Sequence, residues 1–90
     1  MANRAVRTAT LGGRRYRITR HAYDGLVDVP GKPDWELNVD SRLRGKRELV
    51  VFIHEASHAQ NPIESEKVIE RKSEEMGRML WRLGYRRRGN

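Results

Sequence analysis

Apolar and polar residues alternate over residues 14–20, where Tyr16 and Ile18 share one face and arginines take the other. A period of two is the mark of a half-buried strand. The alternation returns over residues 35–40, with Trp35, Leu37 and Val39 on one face. Between these segments Asp24-Gly25 signals a turn, residues 26–29 are a candidate short strand, and Pro30-Gly31-Lys32-Pro33 imposes a loop. Gly12-Gly13 breaks the chain ahead of the first strand, and residues 1–9, polar and basic, read as a loose tail. The first half therefore predicts two or three antiparallel strands.

The period then changes. Leu49, Val50, Val51, Phe52 and Ile53 cover nearly every side of a helix predicted over residues 44–59, with Ser41 as N-cap and Gly45 a weak point near its start. Asn61-Pro62 ends it. A second helix begins either at Asn61, with Pro62 at N1 and Glu64 at N3, or at Ser65, and runs to residue 83 before Gly84 stops it. Ile69, Met76, Leu80 and Leu83 form its expected apolar stripe. Strands followed by two helices place the chain in the α+β class, as one domain over residues 1–90 with a basic tail at 86–90.

Composition narrows the chemistry. A chain of 90 residues is below the usual domain size of about 100–150, and a large enclosed active site does not fit in it. There is no cysteine, so disulfides, thiolate metal sites and a Cys nucleophile are excluded, and any metal must sit on His and carboxylate. The longest apolar run is far short of the roughly 18 residues needed to cross a bilayer. No apolar signal-peptide core opens the chain, and the expected compartment is cytoplasmic. The formal charge is +7, with six arginines and no acid before Asp24 and four more arginines from Arg82 to Arg88. Such ends attract polyanions without reading a sequence.

One motif carries chemistry. His54-Glu55-Ala56-Ser57-His58 matches H-E-x-x-H inside the first predicted helix. Residues four apart lie one turn above each other, so both imidazoles can reach a single Zn²⁺ at about 2.0–2.1 Å. Glu55 lies about 100° round from His54, beside the metal rather than on it, where it can act as general base towards an activated water. With three His and eight Glu in 90 residues, shuffling would give the pattern about 0.6% of the time. Two surface histidines would not need a helix that is apolar all round, and buried imidazoles need partners.

A third ligand must come from elsewhere. With Glu66 as zero and about 100° per residue, the second helix's apolar stripe centres near about −70°, Glu66 borders it, and Glu70, Glu74 and Glu75 lie progressively further away. Glu66 is thus the acid best placed to face the first helix, with Glu70 one turn on as a partner for a ligand imidazole. His21 and Glu64 are rival ligands.

His54-Glu55-x-x-His58 followed by an acid on the next helix resembles the zincin metallopeptidases, specifically the gluzincin branch with a Glu third ligand. The metzincin pattern would need Gly and His where this chain has Asn61 and Glu64. The run from His54 to Ala59, together with Leu80-Trp81-Arg82-Leu83-Gly84-Tyr85-Arg86, is also similar to small bacterial and phage zincin-like proteins, over residues 11–86. Seven residues separate His58 from Glu66, a shorter interval than is typical of gluzincins. The resemblance implies a zinc metallopeptidase acting on a peptide or protein substrate, with residues 35–40 as the strand along the cleft rim. Tyr23 and Tyr85 are candidate donors to the oxyanion. Two other function classes remain open on the sequence: a zincin-like domain whose metal is structural, and a basic nucleic-acid-binding module.

Overall fold

The structure is a computed structural model that describes residues 7–21 and 35–87. Three strands, β1 (Thr8–Leu11), β2 (Arg14–His21) and β3 (Trp35–Asp40), precede two helices, α1 (Gly45–Gln60) and α2 (Glu66–Arg82). This is the α+β layout that the change of period predicts. The strands form one sheet in the order β1-β2-β3.

Two features of the sheet depart from the sequence reading. Thr8 and Ala9 do not belong to a tail: they lie in β1, paired antiparallel with Arg17 and Tyr16. Thr8-Ala9-Thr10-Leu11 does alternate polar with apolar, and its exposure alternates with it, but the run is only four residues long, and the backbone ladder across the Gly12-Gly13 turn orders it. The second departure is that β3 runs parallel to β2, with Trp35 opposite Tyr16 and Leu37 opposite Ile18. A parallel neighbour requires the chain to return to the start of β2, which takes a connection of about a dozen residues or more. Residues 22–34 are long enough. The candidate strand at 26–29 and the loop at 30–33 fall outside the described residues.

Tyr16, Leu37 and Val39 are buried on one side of the sheet, and Leu11, Leu43, Val51, Phe52, Ala56 and Ala59 pack against them. One flank of α1 thus covers the sheet. The opposite flank packs on α2, so α1 is sandwiched and its apolar circumference has a use on both sides.

The helix pair meets through small residues. The buried positions of α2 are Ile69, Ser73 and Gly77, whereas Met76 and Leu83 are 41% and 67% exposed. The expected stripe of Ile69, Met76, Leu80 and Leu83 is therefore corrected at Met76 and Leu83, while Ile69 is buried and Leu80 half-buried: the contact line centres near about −20° rather than about −70°. Close approach explains the shift. A Cβ on Gly77 would lie 2.4 Å from Val50 Cγ2, so a larger side chain cannot occupy the crossing. Ser73 fits the same line by donating its hydroxyl to the Ile69 carbonyl at 2.7 Å. Rotating α2 by this amount brings Glu66 into line with the buried face.

Helix ends are set locally. Ser65 caps α2 by accepting from the Val68 amide at 3.3 Å, which selects the later of the two expected starts. At its other end the Tyr85 amide donates to the Leu80 carbonyl and the Gly84 amide to that of Trp81, both at 3.0 Å, the paired bonds of a Schellman stop. The entry to α1 does not use Ser41. Asp40 accepts from the Arg42 amide at 2.9 Å and from its guanidinium, which lowers the Asp40 pKa from 3.8 to about 2. The N-cap is Arg44, without a side-chain cap, and Gly45 turns the chain into the helix at φ +66°. Glycine at this point is a requirement of the turn rather than a weak spot.

Glu48, in the first turn of α1, is 2% exposed. Burial alone would raise its carboxyl pKa, but hydrogen bonds and charge from Arg20 of β2 and Arg87 beyond α2 outweigh that and hold it below the ordinary range. One acid therefore ties the sheet, α1 and the segment after α2 together. Among the described residues no helix is long and apolar enough to cross a membrane.

Candidate metal centre

Helical spacing puts His54 and His58 one turn apart on α1, with ring centroids 4.8 Å apart and ring planes inclined at 60°. Their Nε2 atoms point at each other across 3.1 Å. Glu66, the first residue of α2, closes the triangle: Oε2 is 3.0 Å from His54 Nε2 and Oε1 is 2.7 Å from His58 Nε2. The seven-residue interval is thus sufficient, because the Ser65 cap starts α2 immediately beside the end of α1 and Glu66 sits on the buried line.

These three side chains form a group able to hold a metal ion. Tetrahedral zinc with ligand bonds of about 2.0–2.1 Å separates its donor atoms by about 3.3–3.4 Å, so the observed edges of 3.1, 3.0 and 2.7 Å would each have to open, the His58–Glu66 edge the most, by well under one ångström. The donor chemistry points the same way. Two ring nitrogens and a carboxylate converge, which is a donor set that zinc accepts. Exposure grades outward from His54 at 21% through His58 at 35% to Glu66 at 62%, so the triangle is anchored on one side and open to solvent on the other.

Glu55 is half-buried beside the triangle and makes no hydrogen bond or ion pair with the described residues. It is therefore not committed to holding the fold. Glu70 is exposed and likewise makes no such contact, so no bond links it to either imidazole. Glu64 stands outside the group, paired with Lys72 at 2.8 Å. The backbone of His21 pairs with Asp40, at the end of the sheet where α1 begins rather than where it carries His58.

Of the two candidate oxyanion donors, Tyr23 lies outside the described residues. Tyr85 lies beyond the far end of α2, roughly 25 Å from Glu66 at 1.5 Å per residue. There it lines a cavity of about 210 Å³ with Gly45, Leu49, Phe52 and Trp81, which removes it from the metal triangle. β3 is an edge strand among the described residues, and it packs on α1. The side of β3 left unpaired among the described residues could take an added strand.

Glu48 is the functional-looking residue that sequence reading missed, and its role is structural. The signal was present: an acid at the head of an apolar helix has to be either exposed or paired with a cation. Which arginines would pair with it depends on β2 and on the segment after α2, both remote in sequence. No family model, curated protein or solved structure matches the chain.

Proposed function

We propose that the protein is a zinc-dependent hydrolase of peptide or related amide bonds, with His54, His58 and Glu66 as metal ligands and Glu55 as general base. The observation that carries this reading is the convergence of two Nε2 atoms and one carboxylate within 2.7–3.1 Å of one another, with an uncommitted acid at the adjacent position. Bound zinc would supply Lewis acidity, lowering the pKa of water to about 7 and polarising a carbonyl.

The chain's own residues account for the rest. Glu55 accepts the proton of the attacking water and returns it to the departing amine nitrogen, the two halves of general acid–base catalysis. His54 and His58 are held at one spacing by the α1 backbone, and Glu66 by the cap at Ser65, so the ligands are preorganised by two helix termini and one crossing. Three protein ligands with an open side suit a catalytic site, whereas structural zinc sites usually close with four. That distinction favours the hydrolase over a purely structural metal.

The test is metal content and activity together. Protein purified without chelators should hold about one zinc per chain, and Glu55→Gln should keep the metal while losing hydrolysis of a mixed peptide library. A chain that takes up no metal, with melting unchanged by added zinc, overturns the proposal. Release of metal by Glu55→Gln would make Glu55 a ligand instead.

A further inference from the structure

The β1–β2 turn is seated on the end of α1 that carries His58: a Cβ on Gly12 would lie 3.1 Å from the Ala59 carbonyl oxygen and 3.4 Å from Gln60. β2 leaves that turn with Arg14 and Arg15, and its parallel neighbour β3 starts at the same end with Trp35. The Arg14 guanidinium lies over the Trp35 ring, 4.5 Å from its centroid. Trp35 also leans on Tyr16, with centroids 6.0 Å apart, and is still 52% exposed.

Charge on the sheet is unequally compensated. Arg17 faces Glu36 at 3.9 Å, Arg20 is bound to Glu48, and Arg42 to Asp40 at 2.6 Å. Arg14 and Arg15 are exposed and have no carboxylate partner among the described residues. The uncompensated charge of β2 is therefore collected at the end of the sheet that meets the terminus of α1 carrying His58, beside an exposed aromatic ring.

We infer that the Arg14–Arg15–Trp35 corner is a specificity element that selects acidic peptide substrates. This rests on the hydrolase reading above. A guanidinium already stacked on Trp35 is preorganised and offers its in-plane N–H groups to a carboxylate. An extended peptide lying along the edge of β3 that is unpaired among the described residues would pass this corner, so one or two acidic side chains near the scissile bond would meet it. Nucleic acid fits less well. It is bound by a run of phosphate contacts with several stacking platforms, and two arginines with one tryptophan are too few.

Binding decides the inference independently of turnover. Labelled decapeptides differing only in flanking charge are titrated by fluorescence anisotropy into the zinc-loaded Glu55→Gln protein. The acidic peptide should bind about tenfold more tightly than the neutral one at about 50 mM salt, and the preference should shrink severalfold at about 300 mM as the charges are screened. Arg14→Glu/Arg15→Glu should invert the preference and Arg14→Gln/Arg15→Gln should abolish it, with far-UV circular dichroism confirming that each variant is folded. An acidic preference unchanged in both variants, or absent from the parent, overturns the inference. So does tighter binding, through the same arginines, of a single-stranded oligonucleotide of equal charge. Hydrolysis of the same peptides by the wild-type protein reads the underlying proposal: Glu55-dependent cleavage without charge preference overturns the inference alone. Arginine-dependent binding without cleavage of any peptide overturns the hydrolase and leaves the acidic-peptide surface standing.

Discussion

Replacing Gly77 by alanine sets two effects of known size against each other. Alanine in a helix interior is favoured over glycine by about 0.8–1.0 kcal/mol, so an exposed Gly77→Ala would stabilise the protein. Here the new Cβ would lie 2.4 Å from Val50 Cγ2 and 3.3 Å from Val50 Cα. The α1–α2 crossing must open, and overpacking of this kind costs about 1–3 kcal/mol. The net expectation is a loss of about 1 kcal/mol, which in a domain of this size lowers the melting temperature by about 4–8 °C. Val50→Ala supplies the control, because it deletes the offending methyl and leaves contacts of 3.3–3.4 Å to Val50 Cα and Cβ. In that background Gly77→Ala should be neutral to stabilising by up to about 1 kcal/mol. Urea denaturation of the four proteins yields a coupling energy of about 1–3 kcal/mol. Zinc affinity supplies a second readout, since opening the crossing displaces Glu66 from the histidines: it should fall in Gly77→Ala and recover in the double variant. Stabilisation by Gly77→Ala in the wild-type background, by the full propensity gain, would refute the close-approach argument.

Three further outcomes follow from the same geometry. If zinc binds as proposed, His58→Ala should lose the metal and the stabilisation by zinc, which for a single site amounts to about 2.7 kcal/mol at free zinc a hundred times Kd; calorimetry with and without chelator reads both. Glu48→Gln should destabilise at neutral pH by about 1–3 kcal/mol, less than the 3–5 kcal/mol of a fully buried pair because both guanidiniums reach water. Because the folded Glu48 pKa is depressed, its stabilisation is present above the unfolded value and lost as pH falls through the lower folded one, so the Glu48→Gln difference should shrink in urea titrations taken progressively into acid. Asp40 behaves in the same sense, with its contribution present above 3.8 and lost as pH falls through about 2; Asp40→Asn should therefore differ from wild type at pH 5 and converge with it near pH 2.

Local periodicity and helix signals were sufficient for the helices. The expected span of 44–59, and that of 65–83 from the later of the two starts open to the second helix, differ from Gly45–Gln60 and Glu66–Arg82 by a residue or so, while the start at Asn61 is four residues too early, since caps, stops and the 3.6-residue period are written within a few positions of where they act. The same holds for His54 and His58, whose mutual placement follows from their spacing on one helix. Glu66 was legible as the acid nearest the interface because angle around a helix can be counted, and the structure carries its carboxylate to both imidazoles.

Other features depended on partners remote in the chain. The parallel pairing of β3 with β2 and the recruitment of Thr8 and Ala9 into β1 are backbone ladders, and backbone hydrogen bonds do not depend on residue type. The contact line of α2 follows Ile69, Ser73 and Gly77 rather than its largest apolar side chains. Hydrophobicity ranks Met76 and Leu83 above glycine, but the distance between two helix axes is limited by the bulkiest residue at the crossing, so the smallest side chains win that position. Glu48 is buried for a comparable reason. Its desolvation is tolerable only where two guanidiniums arrive together, and that meeting of β2 with the end of the chain exists only once the molecule has folded.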